Sequence, residues 1–183
     1  MENPYPHFDF ESTGNDLLVA VDLSKDFTSG CLGTKHACDI LPWAAWFIKN
    51  FKGEKKATLD THGPDYLDTQ EGRNLPIVHG QKGTLGWSLA EPISAVLTDR
   101  DEIIEKDTFG SVKLFEHLRT RHYEDIYFLG ADTGICVISC AVMAKAADPE
   151  ARIHVLSKLC SCVDKGTHET ALAAMRLLQM DVM

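Results

Sequence analysis

Three side chains able to make and break an acyl bond stand at Asp22, Lys106 and Cys136. A thiolate attacks a carbonyl well; a carboxylate can take the thiol's proton and pass it to a departing amine, and an ammonium between them balances the charge. Cys136 follows Gly130-Ala131-Asp132-Thr133-Gly134, the pattern of a strand-to-helix turn. At such a turn the helix dipole and free backbone N–H groups favour thiolate and can hold an oxyanion. Each residue also has an ordinary reading. Cys136 could be a small core residue, Asp22 a turn or helix cap, and Lys106 a solvated strand end. Cys140, one turn beyond and within small apolar residues, reads as core, and Cys160-Ser161-Cys162 reads as packing.

A second group has ligand chemistry. Asp60-Thr61-His62 places a carboxylate and an imidazole two residues apart, on the same side of an extended segment. Glu71 and His79 extend the set to oxygen and nitrogen donors of the kind that hold zinc, iron or manganese. The other histidines, His7, His36, His117, His122, His154 and His168, read as surface or structural.

The elements that must position these groups alternate. Leu17–Leu23, Lys56–Asp60, Ile103–Lys106, Ile126–Ala131 and Ile153–Leu156 read as strands. Trp43–Phe51, Ser111–Arg121, Cys136–Ala147 and Thr167–Met180 read as helices, with Pro42 suited to the first turn of the earliest. Such alternation implies crossover connections and a mostly parallel sheet covered on both faces, a three-layer α/β/α arrangement. Ligands then gather at the carboxyl ends of the strands, where Asp22, Asp60, His62, Lys106 and Cys136 all fall. The segment from His62 to Pro92 breaks the rhythm, and a loop of that length in a compact domain usually serves function.

Composition narrows the partners. At 183 residues, with 44% apolar and 25% charged residues and no linker or repeat, residues 1–183 read as one domain. A formal charge of −9 argues against nucleic acid or an anionic membrane as the partner. Six irregularly spaced cysteines suit reduced thiols, and Met1–Phe10 has no apolar signal core, so a cytoplasmic location is expected.

In order, Val21-Asp22-Leu23-Ser24-Lys25-Asp26-Phe27, Asp60-Thr61-His62, His79 through Trp87, Glu105-Lys106 and Gly130 through Val137 resemble the motifs of the isochorismatase-like cysteine hydrolases, and within them the nicotinamidases. The resemblance runs from about Leu17 to Leu178. It implies a Rossmann-like α/β/α fold, an Asp22–Lys106–Cys136 triad, and a cis peptide before Asp132. The backbone N–H groups of Asp132 and Cys136 would form the oxyanion hole. Phe27 is implied as a ring contact, and Asp60, His62 and His79 as metal ligands, with Glu71 near the place of an occasional fourth. Zinc is the first expectation, with iron or manganese as alternatives. The implied activity is hydrolysis of a small amide, nicotinamide first, through a thioester; the alternatives are another amide, carbamoyl compound or ureide, and a non-catalytic small-molecule binder. Homo-oligomers are common in such families. This sequence departs from the pattern at Ser24, at Gly80, and at Pro76, Ile77 and Val78, where nicotinamidases bring a tryptophan to the pocket; Asp132 and Gly134 are also unusual, and the Glu71-to-His79 spacing is one residue long.

Overall fold

Leu17–Val21 is a run of five apolar residues, every one of them buried, so this strand (β1) has helices on both faces. The computed structural model describes residues 12–183, so His7 and the Met1–Phe10 segment lie outside the described residues. Five further strands follow: β2 (Glu54–Asp60), β3 (Glu102–Lys106), β4 (Asp125–Ala131), β5 (Arg152–Ser161) and β6 (Asp181–Val182). They form one sheet in the order β3-β2-β1-β4-β5-β6, and every pairing is parallel.

The chain steps outward from β1 to β3, then returns to place β4 on the other side of β1. That reversal opens a crevice beyond the carboxyl ends of β1 and β4, the place where open parallel sheets bind ligands. Val21 is in register with Gly130 and Asp60 with Lys106, while Ala20 pairs with Ala57, so β2 and β3 end together about two residues beyond β1.

The helices are α1 (Lys25–Thr28), α2 (Lys35–Asn50), α3 (Gln70–Asn74), α4 (Glu91–Ser94), α5 (Val112–Thr120), α6 (Ile138–Ala147) and α7 (Lys165–Leu177). Alternate residues of β1 feed two cores. Val19 and Phe128 pack with Leu118, Ala141 and Met175 of α5, α6 and α7 on one face. Leu18 and Leu129 pack with Phe47, Ile48 and Ile93 of α2 and α4 on the other. The result is the three-layer α/β/α architecture, with the sheet wholly parallel rather than mostly so.

Several boundaries differ from expectation. Helix α2 starts at Lys35, eight residues before Trp43, because Thr34 caps it through a bond from Ala37 N at 2.9 Å. Pro42 therefore lies inside the helix rather than in its first turn. Burial of Ile40, Leu41, Ala44, Phe47 and Ile48 holds the helix together across the missing N–H. Strand β5 runs to Ser161, five residues past Leu156, with an irregularity in its pairing between Phe128 and Gly130. The His62–Pro92 segment is mostly irregular, but it contains a 3₁₀ turn at Tyr66–Asp68 and helix α3.

Candidate active site

Asp22 stands just past β1 with φ at 48°, a left-handed conformation that Asp tolerates better than most residues. Thr58 on β2 fixes it there: the Thr58 hydroxyl donates to Asp22 Oδ1 at 2.7 Å and accepts from Asp22 N at 3.2 Å. The side chain is fully buried. Lys106, the last residue of β3, reaches under the same strand ends. Its Nζ lies 2.6 Å from Asp22 Oδ2, 3.1 Å from Asp60 Oδ1, 3.0 Å from the Thr108 carbonyl and 3.5 Å from Cys136 Sγ. One ammonium, with three hydrogens to give, thus touches the acid, the thiol and the first residue of the ligand group.

Cys136 does not open α6 as expected. It sits in a single π-helical turn, Thr133–Val137, that precedes α6, a distortion common at functional sites. The turn follows a cis peptide between Ala131 and Asp132. Gly130, at φ 131°, passes so close to β1 that a Cβ there would meet Val21 O at 2.0 Å; no other residue fits. Asp132 caps the turn by accepting from Gly134 N at 2.7 Å. It also accepts from Cys162 Sγ at 3.0 Å and from Val163 N at 3.0 Å, which ties the turn to the end of β5. Cys160 is core as expected, but Cys162 is a partner of Asp132 and lines the site. Thr133 donates to Ser161 O and so accepts from His168 Nδ1, at 2.9 Å each, adding a tether from α7.

The electrostatics differ from the sequence reading of the thiol. Burial pushes the Cys136 thiol well above its usual range, and the neighbouring Asp22 carboxylate pushes it further; Lys106 opposes them and loses. Burial likewise raises Asp22, against the pull of Lys106. Burial alone would lower Lys106, but the neighbouring carboxylates, Asp22 first and then Asp60, outweigh it and raise the ammonium above its usual range.

Asp60, His62, Glu71 and His79 come together beside this group. One ligand atom from each lies within 4.8 Å of all the others. His62 Nε2 is 3.0 Å from Asp60 Oδ2 and 3.7 Å from Glu71 Oε1; His79 Nε2 is 3.4 Å and 3.8 Å from the same two oxygens. His79 Nδ1 is 2.7 Å from the Ile77 carbonyl, which can only accept, so this nitrogen carries the proton and Nε2 is left with a lone pair facing the cluster. Glu71 is delivered by α3, whose cap, Thr69, accepts from Gly72 N at 3.0 Å. Between Glu71 and His79, Leu75 N donates to Glu71 O and Ile77 N to Leu75 O, both at 2.8 Å. Two carboxylates and two imidazoles converging in this way fit a divalent ion of the zinc, iron or manganese kind.

Tyr66 carried no signal in the sequence, and Gly80 stood out only as a departure from the motif pattern. Tyr66 is buried against both imidazoles, 4.6 Å from His62 and 4.9 Å from His79 between ring centres, and its hydroxyl donates to Leu75 O at 2.9 Å. Gly80, where the family pattern favours cysteine, adopts φ 55° and approaches Asp60 so closely that a Cβ would meet its carbonyl at 2.8 Å. Only the ring contacts formed in three dimensions, tilted on His62 and edge-on to His79, identify Tyr66.

The two groups share one cavity of about 170 Å³. Its floor includes Asp60, Glu71, His79, Asp132 and Cys136, and its walls Phe27, Leu32, Leu75, Phe109, Ile135 and Val163. Phe27 meets His79 edge-on at 5.4 Å. Ile77 and Val78 are among the exposed apolar residues and, with Pro76, do not line the cavity.

Residues 16–183 match the family model described as isochorismatase domain. The chain belongs to the isochorismatase domain family. Solved structures similar to this isochorismatase-family hydrolase share its fold at low identity. One is the pyrazinamidase of Pyrococcus horikoshii in complex with zinc, 22% identical, with a TM-score of 0.81 over 92% of this chain and 98% of that one. Another is a nicotinamidase/pyrazinamidase from Bacillus subtilis, 23% identical, TM-score 0.77, again covering 92% and 98%. A third, from L. infantum in complex with nicotinate, is 18% identical with a TM-score of 0.79 over 95% of each chain. No curated protein matches the chain. Among the described residues, no helix is long and apolar enough to cross a membrane.

Proposed function

We propose that this isochorismatase-family hydrolase is a metal-containing cysteine amidase that converts a small carboxamide to its acid and ammonia, with nicotinamide as the first substrate to test. The observation that carries this reading is Lys106 Nζ within 3.5 Å of both Asp22 and Cys136, the last of which lines the cavity.

Asp22 takes the Cys136 proton as Sγ attacks the amide carbon. Both groups are raised by burial, so the proton moves between partners of shifted affinity rather than from an already ionised thiol. The carbonyl oxygen gains the negative charge, and the backbone N–H groups of Asp132 and Cys136 would receive it. Asp22 returns its proton to the nitrogen, ammonia leaves, and the acyl group remains on Sγ as a thioester. Water then attacks the thioester carbon while Asp22 accepts its proton; the acid departs and the thiol is restored. Lys106 stays charged throughout and keeps Asp22 anionic between steps.

Asp60, His62, His79 and Glu71 would hold the divalent ion, zinc before iron or manganese. When bound, it supplies a Lewis acid able to hold a substrate donor atom such as a pyridine nitrogen. Phe27 would face the substrate ring.

A second reading keeps the chemistry and changes the substrate to another small amide, carbamoyl compound or ureide. The absence of Pro76, Ile77 and Val78 from the cavity wall favours it, since nothing there replaces an aromatic pocket residue. Ammonia release from nicotinamide and an amide panel, with metal analysis of the same sample, tests both. Protein that lacks metal, ignores nicotinamide and hydrolyses a carbamoyl compound would contradict the first reading.

A further inference from the structure

The mouth of the cavity is apolar and open in a way that hydrolysis of a bare carboxamide does not require. Phe109, Ile135 and Val163 all line the cavity, yet they are 42%, 40% and 66% exposed. They come from three separate segments, after β3, within the π turn and after β5, and meet at one rim. Leu32 and Leu75 continue the apolar wall inward to the Cys136 floor.

Charge at the site is one-sided. Among the described residues no lysine or arginine lines the cavity, whereas Asp60, Glu71 and Asp132 all do. A divalent ion would be balanced by Asp60 and Glu71, and Lys106 is balanced by Asp22. The carboxylate of Asp132 is met only by neutral donors, Gly134 N, Cys162 Sγ and Val163 N. Beyond the reach of the ion, the acyl-binding wall is therefore apolar with Asp132 as its carboxylate, so an acyl part carrying its own carboxylate at the far end would meet repulsion with no cationic side chain to pair it.

Resting on the amidase reading, we infer that the substrate is an uncharged amide whose acyl part carries an apolar ring or chain long enough to reach Phe109, Ile135 and Val163, and that carboxylate-bearing acyl groups are rejected. The amide end reacts at Cys136, and the far end covers the rim and removes apolar surface from water. A hydrophobic wall discriminates by about tenfold or more per well-buried methylene; a half-open rim supplies less.

The test compares kcat/KM for ammonia release by the zinc-supplemented full chain on benzamide, 4-butylbenzamide and 4-carboxybenzamide, with nicotinamide alongside. The expected order is butyl over parent by roughly tenfold and parent over carboxylate by roughly a hundredfold. In Val163→Ser and Phe109→Ser the butyl-to-parent ratio falls toward one, whatever happens to the parent rate. An equal or faster carboxylate, or a butyl ratio near one in the unaltered protein, overturns the inference while leaving amide hydrolysis standing. Ammonia from none of the four amides, nicotinamide included, overturns the amidase reading on which it rests.

Discussion

Lys106 donates to Asp60 Oδ1 at 3.1 Å while its same nitrogen pairs with Asp22 at 2.6 Å. The bond joins two groups that the sequence presents as separate, an acid–lysine–thiol set and a ligand set. Any change at Lys106 is therefore felt by both.

Replacing Lys106 with Met leaves two buried carboxylates without their cation. Breaking a buried ion pair from one side costs about 3–5 kcal/mol, so Lys106→Met should lower the urea midpoint markedly and abolish amide hydrolysis. Asp22→Asn removes the charge that Lys106 balances and keeps the side chain's shape, and should cost less stability for a similar loss of rate. Urea titrations of the two variants check the order.

Metal removal has a graded prediction. Supporting residues around metal sites are typically worth about 10–100-fold in affinity, so direct loss of a ligand in Asp60→Asn, His62→Ala or His79→Ala should weaken zinc binding by at least about a hundredfold. Glu71→Gln decides whether the fourth residue coordinates. Competition against a chelator of known affinity gives each constant, and zinc should raise the unfolding temperature of the parent chain but not of His79→Ala.

Tyr66 should matter to that site without touching the metal. Its ring fills the space beneath both imidazoles, so Tyr66→Ala should cost about 3–5 kcal/mol of stability and roughly tenfold in zinc affinity. Tyr66→Phe loses only the bond to Leu75 O, about 1 kcal/mol, and should keep most of the affinity.

At the opposite end of the sheet, Asp125 has a pH signature. Burial would raise its carboxyl, but bonds from Arg152 and His154 outweigh burial and hold it below the usual range. A depressed native carboxyl stabilises the fold above the unfolded value of about 3.9, and that stability fades as pH falls through the native value. Urea midpoints at pH 6 and pH 3.5 should therefore fall less in Asp125→Asn than in the parent.

Much of this site could be read from order alone, because strands and their terminal residues are written locally. Asp22 follows a buried apolar strand, Asp60 and Lys106 each end a strand, and a parallel sheet puts such ends on one edge. The long-range features escaped. Nothing local signals that Pro42 will be carried inside a helix by its buried neighbours, nor that Tyr66 will pack its ring against two histidines. The thiol's affinity for its proton also escaped, because it depends on how deeply Cys136 is buried and on Asp22 arriving from another strand. Cys162 looked like packing because its partner, Asp132, lies thirty residues away in sequence.

The central claim is that the acyl group passes through Cys136. Intact mass measurement of protein mixed with a hydrolysed amide and quenched in acid within milliseconds tests it most directly. The account predicts a transient species heavier by the acyl group less one hydrogen, mapped to the Cys136 peptide and absent from Cys136→Ala, which releases no ammonia. Undiminished ammonia release from Cys136→Ala, with no acylated species in the parent protein, would contradict it.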